Sequence, residues 1–154
     1  DPKAGKPLRV GITALLVDPE ERISPKEFQV QKPEEAARQV LNELKGKADY
    51  VIVLTDMGLG EGITLAVEVP GINMIVVCHN YEAAMDAQQV GDSLIISPIN
   101  QGRMLSEVRL NVKAGTQKLE IESHVVPLDK TVPDDPVMGE LVRKAKAEVD
   151  KVQK

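Results

Sequence analysis

The sequence predicts an α/β fold: a mainly parallel sheet with flanking helices, followed by a C-terminal antiparallel hairpin and a closing helix. Three observations predict it. Near-continuous aliphatic runs at Leu8–Val17, Tyr50–Thr55 and Asn73–Cys78 have the length and all-round apolarity of strands buried on both faces of a parallel sheet. Two helical stretches separate those runs by short connections, which implies right-handed crossovers. Later the pattern turns to apolar and polar residues in alternation, then returns to a helical period. The 154 residues suit a single domain, 1–154, since domains commonly run ~100–150 residues.

Leu8–Val17 is the first strand, bounded by Pro7 and Asp18-Pro19. Asp18–Lys32 holds two prolines and no sustained period, so it reads as a surface loop. Pro33 suits a first helical position, and Glu34 and Glu35 favour the positive helix end. Ala36, Ala37, Val40, Leu41 and Leu44 share one face, and Gly46 ends the helix. Tyr50–Thr55 is the second strand. Ile63, Leu65, Ala66 and Val69 mark a short helix stopped by Pro70-Gly71, and Asn73–Cys78 is the third strand. A short helix is expected at Tyr81–Gln88 and a short strand at Ser93–Ser97. Glu107–Val112 and Leu119–Val126 alternate across an Ala114-Gly115-Thr116 turn, as a hairpin with one wet face does. Asp134, Asp135 and Pro136 open the last helix. Its stripe of Val137, Leu141, Ala145 and Val149 is expected to dock on the sheet, leaving Lys144, Lys146, Glu148 and Lys151 in water.

Composition excludes several classes of function. The formal charge of −5 comes with no basic stripe to release counterions from phosphates, so nucleic acid is not an expected partner. No apolar run approaches the ~20 residues of a membrane-spanning helix, and the polar start, Asp1–Arg9, has no signal-peptide apolar stretch. One cysteine, Cys78, rules out an internal disulfide framework and an all-cysteine zinc site. With two histidines, His79 and His124, metal or acid–base chemistry must lean on carboxylates. Aromatic residues are 2% of the chain, too few for base-stacking platforms.

In open parallel sheets, ligands bind beyond the carboxyl ends of the strands. Two polar clusters fall there, Thr55-Asp56-Met57-Gly58 and Cys78-His79-Asn80-Tyr81. Asp56 and His79 are therefore expected on one edge of the sheet, and a carboxylate with an imidazole suits a divalent metal. A plainer reading stands beside this. An Asp after a strand commonly makes an Asx turn or a helix cap, and a lone His at a strand end is commonly just hydrogen-bonded. Cys78 and His79 are neighbours on a strand and point to opposite faces, so Cys78 is expected to be a buried, inert thiol. His124, in the hairpin, reads as a surface residue. Gly58-Leu59-Gly60-Glu61-Gly62 lacks both the P-loop lysine and the dinucleotide fingerprint spacing, and reads as a turn. A flavodoxin-like or redox domain built on Cys78 shares the strand alternation but lacks a second cysteine and aromatic flanks for a flavin.

The series VGITALLVDP, ADYVIVLTDMGLGEGITLAVEVPGINMIVVCHNYEA, IISPINQGRMLSEVRLNV and VPLDKTVPDDPVMGELV resembles the second half of the metallophosphatase domain of the 5'-nucleotidase family of calcineurin-like metallophosphoesterases. The resemblance covers about residues 8–145. It implies half of an αββα sandwich, a chain that begins inside the domain, and a parent chemistry of metal-dependent hydrolysis of phosphate esters such as nucleotides at a two-metal site. Three of the family's five metal motifs precede the matching region and are absent. A fourth, Val-Leu-Ser-His-x-Gly, reads here Val53-Leu54-Thr55-Asp56-Met57-Gly58, with Asp56 in place of a histidine ligand. In the last, Gly-Gly-His-x-His, His79 keeps the first histidine, Tyr81 replaces the second, and Cys78 replaces a glycine.

The resemblance thus implies Asp56 and His79 as this chain's metal residues, with divalent ions bound weakly or not at all. It implies no hydrolysis by the chain alone. It also implies self-association or pairing with an N-terminal half, since a sheet cut from its partner exposes edges and apolar faces. Relatives are often exported, which favours an extracytoplasmic location. The alternative is a non-catalytic ligand- or protein-binding module on the same fold.

Overall fold

The structure, a computed structural model, describes residues 7–17, 30–79, 86–98, 102–112 and 119–152. A five-stranded sheet is built from β1 (Val10–Leu15), β2 (Tyr50–Thr55), β3 (Met74–Val77), β4 (Gln88–Val90) and β5 (Ser93–Ile96), in the order β1-β2-β3-β5-β4. All neighbours are parallel except β4, which runs antiparallel to β5. Helices α1 (Pro33–Leu44) and α2 (Leu59–Glu68) make the crossovers. A two-stranded hairpin of β6 (Met104–Val112) and β7 (Leu119–Pro127) follows, and then α3 (Pro136–Val152). This is the mainly parallel α/β architecture with trailing hairpin and closing helix that the sequence predicts.

Strand alternation sorts the sheet's side chains into two clusters. Val51, Val53, Ile75, Val77 and Ile95 pack with Ala37 of α1 and Leu65 and Ala66 of α2. Tyr50, Met74, Leu94 and Ile96 point the other way, where Val108, Leu110 and Leu119 of the hairpin pack against their cluster. The helical side is the main core, and each Ile or Val fully buried there contributes about 1.5–3 kcal/mol. Burial also raises the Tyr50 phenol's pKa above its ordinary value, because desolvation penalises the phenolate.

Local signals read from the sequence place the helix ends. Pro33 stands in the first turn of α1, and Gly46, at φ +75°, takes the left-handed conformation past its end. Asp135 caps α3, its Oδ1 accepting the Val137 and Met138 N–H groups at 2.9 Å each.

Four expectations need correction. β1 is not buried on both faces: Ile12 is 65% and Leu16 57% exposed, and Val10 is exposed beside them. They point to the hairpin's side of the sheet, which the hairpin leaves uncovered at β1. The stripe of α3 does not dock on the sheet, since Val137 is 75%, Leu141 59% and Val149 53% exposed. Among the described residues no strand or helix packs along it. A helical period reports an apolar face and not its partner. Gln88 belongs to β4 and not to a helix; residues 81–85 of that expected helix, with Tyr81, lie outside the described residues. Gly60 and Gly62 are inside α2 and not in a turn. The 18–29 part of the first expected loop and the Ala114-Gly115-Thr116 turn also lie outside the described residues.

Candidate functional site

The parallel pairing of β2 with β3 brings Thr55 level with Val77, so Asp56 and His79 both stand just past the carboxyl ends of adjacent strands. A network of main-chain bonds ties their loops together. The Cys78 N–H donates to the Thr55 carbonyl at 2.9 Å, and the His79 N–H donates to the Met57 carbonyl at 3.1 Å. Thr55 Oγ1 donates to the Val76 carbonyl at 3.3 Å and accepts the Met57 N–H at 3.3 Å. Met57, 2% exposed, anchors the loop in the helical-side core. At the start of α2, Glu61 Oε2 accepts the Gly58 N–H at 2.9 Å, so the helix begins directly from this rim.

Asp56 is half-buried, and its Oδ1 accepts the Val17 N–H from the end of β1 at 2.9 Å. His79 is exposed. Asn80 and Tyr81 lie outside the described residues. Cys78 is exposed, which corrects the expectation of a buried thiol: β3 ends at Val77, one residue early, so Cys78 falls in the loop rather than in the core. His124 is an exposed residue of β7, opposite Glu107 of β6, as expected.

Reading the sequence placed Thr55 and Met57 in the rim cluster without a role for either, and took Glu61 as part of a turn. One signal was legible, a glutamate three residues after the residue that opens a helix, whose carboxylate reaches back to the opening N–H. The Met57 bond to Thr55 Oγ1 is local, whereas the bonds from Thr55 to Val76 and from His79 to Met57 join distant segments and carry no such mark.

Two concavities are formed by described residues elsewhere. One, of about 10 Å³, lies between the sheet and the hairpin beside Asp86, Glu107 and His124. The other, of about 600 Å³, lies at the start of α3 beside Asp134, Asp135 and Arg143. Neither includes Asp56 or His79. The described residues do not fit a two-metal centre: no group of three or more His, Cys, Asp or Glu among them could hold an ion, and one Asp56 oxygen is already engaged by a main-chain donor. A dinuclear site needs several carboxylate and imidazole donors converging on each ion.

The fold is similar to part of solved 5'-nucleotidase structures and of a sulfate thiohydrolase. Over 95% of its length the chain matches a sulfate thiohydrolase, SoxB, of Thermus thermophilus with a TM-score of 0.73 at 17% identity, spanning 28% of that chain. It matches a 5'-nucleotidase precursor, also of Thermus thermophilus, over 79% of its length, with a TM-score of 0.61 at 18% identity, again spanning 28% of that chain. In sequence it is 28% identical over 78 residues, 51% of the chain, to YunD, an uncharacterised metallophosphoesterase of Bacillus subtilis (strain 168), and spans 17% of that protein's length. No protein-family model matches it. The chain thus resembles this group in fold over most of its length and in sequence over about half, while spanning less than a third of each of these proteins.

Proposed function

We propose that the chain is part of a phosphate-ester hydrolase of the 5'-nucleotidase type, with nucleotides or similar esters as substrates of the whole protein, and that these 154 residues do not catalyse hydrolysis alone. One observation carries this. The loops bearing Asp56 and His79 share the carboxyl edge of β2 and β3, while the described residues supply no set of donors for two ions. In this reading Asp56 and His79 are the residues through which the rim touches a divalent cation, completed by donors from elsewhere. The test is turnover of a nucleotide monophosphate or a chromogenic phosphate ester by the pure chain with Mn²⁺ or Zn²⁺. The expected rate equals that of buffer with metal. Metal-dependent turnover lost in His79→Ala would overturn the reading.

A second reading, a non-catalytic binding module, is favoured by the engagement of Asp56 with Val17. Metal titration separates the two: a cation site predicts weaker binding in His79→Ala than in wild type, and a module predicts no difference.

The bare apolar strip of Val10, Ile12, Leu16 and Leu54 supports a further layer on that face, from a longer chain's own N-terminal half or from a second copy. Exposed apolar patches of this kind drive association. Sedimentation of the pure chain is expected to show mass above the monomer as concentration rises; a strictly monomeric profile throughout would refute self-association. No helix among the described residues is long and apolar enough to cross a membrane. An extracytoplasmic location rests on the likeness to a precursor protein, and fractionation of the host cell tests it.

A further inference from the structure

We propose that Asp56 is a clamp whose Oδ1 completes the β1–β2 ladder and so fixes the rim loop, a role separate from any cation contact made through its other carboxylate oxygen. The assignment stands on hydrogen bonds and does not require the hydrolase reading. β1 and β2 pair in parallel from Val10↔Tyr50 to Leu15↔Thr55. The Tyr50 N–H donates to the Arg9 carbonyl at 3.2 Å, and in a parallel ladder every second residue of a strand bonds to the same neighbour. The odd-numbered residues of β1 therefore face β2, and the Val17 N–H would next meet the main-chain carbonyl of Asp56. The chain turns at Asp56, and the side-chain oxygen takes the carbonyl's place, at 2.9 Å in a half-buried position.

The same device appears twice more on this sheet. Before β2, Asp49 Oδ2 accepts the Arg9 N–H at 3.0 Å. Before β3, Asn73 Oδ1 accepts the Val51 N–H at 2.7 Å, while the Asn73 N–H donates to the Val51 carbonyl at 3.0 Å. The Asn73 case uses a neutral amide, so the geometry needs an oxygen two bonds from Cβ and not a charge. Asp and Asn share that oxygen.

With Asp56 holding the β1 side and the Cys78 and His79 N–H groups holding the β3 side, the loop at 56–58 is fixed between both neighbours. Val17 engages Oδ1, so a cation can meet the second carboxylate oxygen without releasing the clamp. For holding the loop, the clamp therefore predicts that charge at position 56 is dispensable and the acceptor is not.

The experiment uses the full chain as wild type, Asp56→Asn and Asp56→Ala, with two readouts: thermal unfolding and exchange of the Val17 amide. For Asp56→Asn the expected result is an unchanged Tm and an unchanged Val17 protection. For Asp56→Ala it is a Tm lower by about 2–4 °C and a Val17 amide exchanging about ten-fold faster. The clamp is overturned if Asp56→Asn loses Val17 protection, or if Asp56→Ala leaves Val17 protection at the wild-type level. Should Asp56→Ala not fold, Asp56→Asn alone decides: Val17 protection kept supports the clamp, and Val17 protection lost overturns it. Turnover by the wild type would overturn the proposed inactivity and leave the clamp standing.

Discussion

Replacing Ile75 by alanine is expected to cost about 2–5 kcal/mol of folding stability, the range for deleting a large aliphatic side chain from a closed core. Ile75 is 0% exposed, on the middle strand β3, in the cluster that joins the sheet to α1 and α2. The removed side chain leaves a void between a sheet and a helix, and neither collapses easily because main-chain ladders hold β3 to β2 and to β5. For a chain of this size 1 kcal/mol corresponds to about 2–4 °C, so Tm should fall by roughly 10 °C. Urea denaturation gives the free energy directly. A loss under about 1 kcal/mol would mean that this face is not the organising core. As a control, Leu141→Ala on the bare stripe of α3, 59% exposed, should change stability by under about 0.5 kcal/mol.

The second large effect is expected at Gly62. A methyl group there would sit 2.5 Å from Val77 Cγ1, inside contact distance. Gly62 lies in α2, where alanine would otherwise gain about 1 kcal/mol from helix propensity. The clash outweighs that gain. Val77 is 0% exposed on β3, and its β-branched side chain has little rotamer freedom with which to yield. Overpacking of this kind costs about 1–3 kcal/mol, so Gly62→Ala should be net destabilising in thermal melts. The argument is checked by a double-mutant cycle: Val77→Ala removes the obstructing methyl groups, and the pair should show a favourable coupling of about 1 kcal/mol or more. Additive losses would place the strain elsewhere. This glycine has an ordinary backbone conformation and is needed for the close approach of helix to strand alone.

The two effects differ in how they were legible. Ile75 stands in an aliphatic run that announces a buried strand, so its burial follows from composition and length. Gly62 looked like part of a glycine turn, because glycine is read first as a turn former. Its reason for being glycine is Val77, on the following strand, and no local pattern records that contact. Asp56 is similar. Its place past a strand end was readable, and both an Asx-type role and a ligand role fitted. The partner, Val17, lies 39 residues away in sequence.

What the amino-acid order settles here is whatever depends on near neighbours: the strand and helix sequence apart from β4, Pro33 and Gly46 at the ends of α1, Asp135 at the start of α3, and the parallel crossovers that send Asp56 and His79 to one edge. These follow from propensity, period and handedness, which act over a few residues. Contacts across the sheet settle the rest. They leave β1 bare on one side because the hairpin does not extend over it, bring Cys78 into the open because β3 stops at Val77, and give the Asp56 carboxylate a main-chain donor. Burial is a property of what lies opposite, and what lies opposite comes from a distant part of the chain.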